Sequence, residues 1–175
     1  MTAKAQKANP ISLKQLQNLY DTFREETDRG AAIVGAAYLD ESLKELVASF
    51  LIDDEQVDEL LRRALRSFGL RIVVAYSLGL ISADEYSDLD TIRDIRNDFA
   101  HGRTKASFSE PEIEGKCDGL ILWRPFSEVL ALESARSRFV FTTTTLLMQL
   151  GIRVLRAKQE RRVTPTDFEV AEIVR

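Results

Sequence analysis

Residues 70–81 read LRIVVAYSLGLI, and the fold class turns on how they are read. Nearly every side chain is apolar, and Ile72, Val73 and Val74 are β-branched, a run that strands favour. A strand needs a neighbour to satisfy its backbone, and no other segment offers a clear one. The apolar spacing elsewhere is mostly helical, so the stretch is read as a buried helix.

The same periodicity extends in both directions. Upstream, Val57, Leu60, Leu61, Ala64, Leu65 and Phe68 form the stripe of a helix opened by Asp53, Asp54 and Glu55, acids placed where the helix dipole favours them. Ala31–Ile52 is apolar on more than one face, through Ile33, Val34, Ala37, Tyr38, Leu43, Leu46, Val47 and Phe50, so it is predicted to sit centrally. Leu16, Leu19, Tyr20 and Phe23 follow i, i+3, i+4, i+7 and give a first helix. Downstream, Ser82-Ala83-Asp84-Glu85 has the form of a capping box. Tyr86, Leu89, Ile92, Ile95 and Phe99 line the buried face of the helix it starts, and Gly102 suits its end.

From Arg103 to Arg124 the pattern breaks at Pro111, Gly115 and Gly119, and Pro125 follows; a loop is expected there, with a short helix over Pro111–Cys117. Phe139-Val140-Phe141 and Thr142–Thr145 have strand propensity. The length of the segment and Leu146, Leu147, Leu150 and Leu155 favour one long helix over Ser134–Gln159. Thr164-Pro165-Thr166-Asp167 resembles a second box with proline at the first helical position, and predicts a short last helix. The expectation is a single all-α domain of about six to seven helices over residues 11–162, between a flexible 1–10 and a tail or short helix at 163–175.

With 175 residues, 45% hydrophobic and 30% charged, the chain suits one globular domain. A net charge of −4 argues against a generic DNA-coating protein and leaves room for a local basic groove. Cys117 is the only cysteine and His101 the only histidine, so a disulfide framework and a zinc site are both excluded. No metal is expected, and without a phosphate-binding glycine loop no nucleotide cofactor is expected either. The opening MTAKAQKANP carries positive charge with no apolar run behind it, unlike a secretory signal. Asp40, Glu41, Lys44 and Glu45 interrupt the longest apolar segment, which makes a poor membrane span. The chain reads as cytoplasmic, with no membrane partner.

The residues that suggest chemistry are Arg96-Asn97-Asp98-Phe99-Ala100-His101. Asn97 and His101 are four apart and share a helix face, and the long Arg96 side chain can reach the same patch. Metal-free RNA cleavage needs a group that moves protons at the 2′-hydroxyl or the leaving oxygen, and a cation for the phosphoryl oxygens. His101 suits the first role and Arg96 the second, with Asn97 orienting either the imidazole or a phosphate. One histidine is few for separate acid and base roles, and a homodimer would supply two. The plainer alternative is a pair that closes the helix end onto the next loop. Asp94 and Asp98 read as surface charge rather than a cation site, with Asp98 able to pin Arg96 or a partner's arginine. Arg153, Arg156, Lys158, Arg161 and Arg162 form the one concentrated basic run. It is either a solvated helix face or, with Arg103, Arg136 and Arg138, a phosphate-binding strip. Trp123 reads as a core or dimer anchor, and Cys117 as a small buried hydrophobe.

Arg-Asn-x-x-x-His at a helix end resembles the Arg-x4–6-His signature of the HEPN superfamily of all-helical proteins, and Asn97 matches its polar position. Tyr76–Ile81 followed by Glu85-Tyr86 resembles the mannitol operon repressor (MltR-like) family. So do Arg96–His101 followed by Phe108-Ser109-x-Pro-Glu-Ile, and Arg138-Phe139 at the start of the last helix. The similarity runs from about Ala31 to Leu155. It implies a HEPN/MltR-like helix bundle and a role in negative regulation of gene expression. HEPN relatives are often metal-independent endoribonucleases that act as dimers, as toxins or defence effectors. Those paired with a small nucleotidyltransferase carry a tyrosine two residues after the histidine. Arg103 stands there instead, so no such modification is implied.

The expected function is negative regulation through protein or RNA contact at the Arg96/His101 groove. Direct DNA reading is not expected, because no recognition-helix unit is evident. The alternatives are a metal-independent endoribonuclease and an antitoxin-like or structural subunit.

Overall fold

A computed structural model describes residues 13–101 and 106–165 of the chain. Its helices are α1 (Leu13–Glu25), α2 (Asp28–Phe50), α3 (Glu55–Arg63), α4 (Phe68–Ser77), α5 (Ala83–His101), α6 (Pro111–Gly119) and α7 (Ala135–Gln159), with a 3-10 turn at Arg124–Phe126. No strand occurs among the described residues, so the all-α reading holds. Gly102, Arg103, the expected last helix and residues 1–10 lie outside the described residues, as do the side chains of Leu16 and Leu19.

The deciding stretch is a helix, and its stop is built into the sequence. Ser67 caps its start, with its hydroxyl accepting from the Leu70 N–H at 3.3 Å. At the other end Gly79 takes φ +69°, which costs a residue without a Cβ least. The Gly79 N–H donates to the Tyr76 carbonyl and the Leu80 N–H to the Ala75 carbonyl, each at 2.9 Å, so two orphan carbonyls are satisfied in a Schellman motif. The expectation of a fully buried helix fails here. Phe68, Arg71, Ile72 and Ala75 are buried, while Leu70, Val73 and Tyr76 lie open. α4 packs only on α2 and α5, at the edge of the bundle, so one side has nothing above it. Its buried charge, Arg71, is held by Asp40 at 2.5 Å and the Leu65 carbonyl at 2.7 Å, as a buried cation requires.

α2 is the hub and packs against α1, α3, α4, α5 and α7. Thr27 caps it, and its buried side runs through Ala32, Ala36, Leu39, Leu43, Leu46 and Val47. Ala37 and Tyr38, expected inside, are exposed, because the small residues of the first turns carry the closest contacts instead. At Gly35 an added Cβ would stand 3.1 Å from Thr143 Cγ2 of α7. α2 and α7 run parallel, linked by Asp28–Arg136 near one end and Glu45–Lys158 near the other. α5 runs the opposite way and packs against both, linked by Arg29 to the Ala100 carbonyl and by Glu85 to Arg153.

In α3 the structure keeps Leu61 and leaves Leu60 and Ala64 exposed, because the helix is short and touches only α2. The capping box at Ser82 forms as predicted, with the Ser82 N–H to Glu85 Oε2 at 2.7 Å and the Glu85 N–H to Ser82 Oγ at 3.2 Å. α7 opens with an analogous box between Ser134 and Ser137. The rings of Phe99, Phe108 and Phe139 meet in sequence, tilted, with centroids 4.9 and 5.0 Å apart, tying the segment after α5 into the core. Among the described residues no helix is long and apolar enough to cross a membrane.

Candidate functional site

The motif occupies the last turns of α5. Arg96 and His101 are five residues apart, about 140° around a helix of 3.6 residues per turn. Arg96 therefore leaves from near the packed side and His101 from the solvent side, and His101 is exposed. The Arg96 side chain covers the difference by turning toward its neighbour, and its Nη1 donates to Asn97 Oδ1 at 2.9 Å. The guanidinium is thereby drawn to the face that Asn97 shares with His101. Among the described residues no carboxylate lies within ion-pair distance of Arg96, and no hydrogen bond joins Arg96 or Asn97 to His101. The helix end itself is held by Arg29, which donates to the Ala100 carbonyl at 3.4 Å.

The surrounding charges are arranged differently from expectation. Asp98 does not pin Arg96; it pairs with Lys116 of α6. That hydrogen bond raises the Lys116 ammonium above its ordinary range and outweighs the opposing effect of burial. Asp94 and Asp90 both close on Arg93, at 2.9 and 2.6 Å.

The basic residues do not gather into a strip. Arg136 donates to the carbonyls of Phe23 at 2.9 Å, Arg24 at 3.3 Å and Glu26, and pairs with Asp28. It closes the C-terminus of α1, whose last carbonyls have no partner within the helix. Arg138 pairs with Asp118, donates to the Glu133 carbonyl at 2.8 Å and covers the Trp123 ring at 5.1 Å. Arg153 is held by Glu85 at 2.8 Å. Lys158 and Arg161 pair with Glu45 and Asp53, and Arg162 covers the Phe50 ring. Arg156 is exposed and, among the described residues, has no carboxylate within reach. Arg103 lies outside the described residues. Guanidinium groups committed to internal acceptors have little left to offer a phosphate backbone.

Two acids that the fold holds, half-buried Asp28 and buried Asp88, were not singled out from the sequence, and the burial of a third, Glu85 of the capping box, was not expected. Asp28 accepts from Ser107 Oγ at 2.9 Å, from the Phe108 N–H at 3.1 Å and from Arg136. Burial pushes its carboxyl up, and these hydrogen bonds with the Arg136 charge more than reverse that, leaving it below the ordinary value. Asp88 is fully buried and accepts from the Ile121 and Leu122 N–H groups at 2.8 and 2.9 Å. Burial dominates there, and its carboxyl is raised. Glu85 is buried against Arg153. Glu85 and Asp88 stand in register with Ile92, Ile95 and Phe99, so two acids on an apolar stripe were the available signal. Cys117 is buried as expected, and burial pushes its thiol up to about 12. Trp123 is partly buried against the core. Elsewhere, α1 and α7 flank an apolar recess of about 490 Å³ lined by Tyr20, Leu130, Leu132, Phe141 and Met148.

No family model matches the chain, and no curated protein matches its sequence. Its fold is similar to that of a chain in the X-ray structure of the MtlR–HPr complex from Escherichia coli. The TM-score is 0.59 at 19% sequence identity, over 78% of this chain and 98% of that one. At this identity the likeness establishes a common fold.

Proposed function

We propose that this chain is a negative regulator of gene expression of the mannitol operon repressor type, acting by contact with a partner at the Arg96–His101 turn rather than by reading DNA. The observation that carries the reading is the structural match, which spans nearly the whole of a chain solved in complex with a second protein. Three features support a protein partner over RNA. The net charge is −4. Arg136, Arg138 and Arg153 are engaged internally. The motif offers one guanidinium, one amide and one imidazole beside Asp94, a mixed surface suited to polar protein contact.

The test is a reporter fused to the genes adjoining the chain's own gene, read with wild type, Arg96→Ala and His101→Ala at matched protein level. Derepression by both variants with helicity unchanged is the expected result. Full repression by both overturns the reading.

A metal-independent endoribonuclease is the second reading. It is favoured by an exposed imidazole on the same face as a guanidinium held only by an amide oxygen. Cleavage of a cellular RNA pool in excess EDTA by wild type and not by His101→Ala, leaving cyclic-phosphate ends, would establish it. Equal cleavage by both proteins would reject it.

A further inference from the structure

The helix that the sequence expects to be buried has one long side open. Leu70, Val73 and Tyr76 follow one another along the outer side of α4 at 48%, 45% and 46% exposure, and Leu78 at its end is 36% exposed. Single exposed apolar side chains are ordinary, whereas a contiguous stripe on one helix marks a contact surface. α5 borders the stripe. At one end the Tyr76 ring meets that of Tyr86 at 4.9 Å. At the other, a Cβ on Gly69 would stand 3.0 Å from Nη1 of Arg93, the guanidinium on which Asp90 and Asp94 converge. Two carboxylates against one guanidinium leave this border negative, and both side chains reach solvent, at 38% and 49%.

We infer that the α4 stripe and its Asp90/Asp94 border form the docking face for a partner protein that presents an apolar ridge flanked by lysine and arginine. An apolar centre inside a charged rim is the usual anatomy of a specific contact, and the sign of the rim selects the partner. A second copy of this chain fits poorly, because it brings the same negative border and a net charge of −4. The inference deepens the partner-binding reading above and rests on it. Asp90, Asp94, Asn97 and His101 recur at i, i+4, i+7 and i+11, one face of α5, so the stripe and the motif belong to one continuous surface.

The probe is a fluorescein-labelled, designed 18-residue helical peptide with a leucine stripe flanked by lysines, beside a counterpart flanked by glutamates. Anisotropy is read with the full chain. The lysine peptide should bind, the glutamate peptide should not, and Leu70→Glu and Val73→Glu should each weaken binding about tenfold, as loss of a central contact does. Asp94→Lys should weaken the lysine peptide and strengthen the glutamate one. Ile152→Glu, at an exposed apolar position of α7, should change neither. All four positions are open to solvent, and unchanged helicity confirms folding.

Undiminished binding by both α4 variants, or equal loss in Ile152→Glu, overturns the inference. So does a wild-type dimer that Val73→Glu makes monomeric, which assigns the face to a second copy. Tighter peptide binding after removal of residues 166–175 overturns it too, by assigning the face to the chain's own end. The two readings fail separately. If Val73→Glu loses the peptide while neither it nor His101→Ala alters repression, the regulator reading falls and the face stands. If His101→Ala derepresses while Leu70→Glu and Val73→Glu keep full peptide affinity, the face falls and the regulator reading stands.

Discussion

Replacing Asp88 with alanine should free the segment that joins α6 to α7. The two Asp88 oxygens accept the N–H groups of Ile121 and Leu122 separately, at 2.8 and 2.9 Å. Truncation leaves both donors unpaired in a half-buried place. An unsatisfied buried donor costs about 1–3 kcal/mol, and removing a buried carboxylate returns part of its desolvation, so about 2–4 kcal/mol should be lost in all. Asp88→Asn should lose less, about 1–3 kcal/mol, because its single amide oxygen replaces one of the two acceptors. Burial raises the Asp88 carboxyl above 3.8, so the folded state binds the proton more readily than the unfolded state. That contribution to stability is complete below 3.8 and fades as pH rises through the folded value, so the gap between wild type and Asp88→Asn should narrow from acid toward neutral pH. The assay is urea unfolding followed by circular dichroism and by emission of Trp123, the only tryptophan, which follows Leu122 directly. The tryptophan transition of Asp88→Ala should precede the helical one. Stability within about 0.5 kcal/mol of wild type and an unchanged emission spectrum would refute the assignment of Asp88 as the anchor of this segment.

Asp28→Asn should behave in the opposite sense. The Asp28 carboxyl is held below 3.8, so its stabilisation is present above that value and is lost as pH falls through the lower folded one. Unfolding curves of wild type and variant, well separated at pH 7, should converge toward pH 2, and a constant separation would contradict the Ser107–Phe108–Arg136 arrangement. Gly35→Ala should destabilise by about 1 kcal/mol despite alanine's better helix propensity, because its Cβ meets Thr143 Cγ2 at 3.1 Å. Thr143→Ala in the same chain should recover most of that loss in a thermal melt, and a Gly35→Ala protein more stable than wild type would show that α7 yields at this point.

What the sequence disclosed depended on whether the decisive interaction was local. The capping box at Ser82 and the acidic opening at Asp54 lie within four residues, and both form as read. The central place of α2 was legible from its length and apolar content. The burial of α4 was not, because hydropathy gives a helix's appetite for contact and says nothing of whether the fold places a neighbour on each side. The partners of the basic residues were not legible for a similar reason. Arg136 finds Asp28 and Arg153 finds Glu85 across the fold, and no local spacing announces such pairs. At the motif, the shared face of Asn97 and His101 was legible from helical geometry. The turn of Arg96 onto Asn97 is a rotamer choice that spacing leaves open.

The parallel pairing of α2 with α7 also bears on how the chain is made. Asp28 and Arg136 touch at a separation of 108 residues along the chain. A ribosome adding about 5–20 residues per second needs about 5–20 s to supply the second partner after the first. For that interval the side of α2 destined for α7 has only α1, α3, α4 and α5 for company, and its alanine-rich first turns stay wet. Newly made chains should therefore spend seconds as an incomplete bundle with an open apolar seam. That is long enough for a chaperone to bind the seam, and a slow close to folding for an all-helical protein of this size.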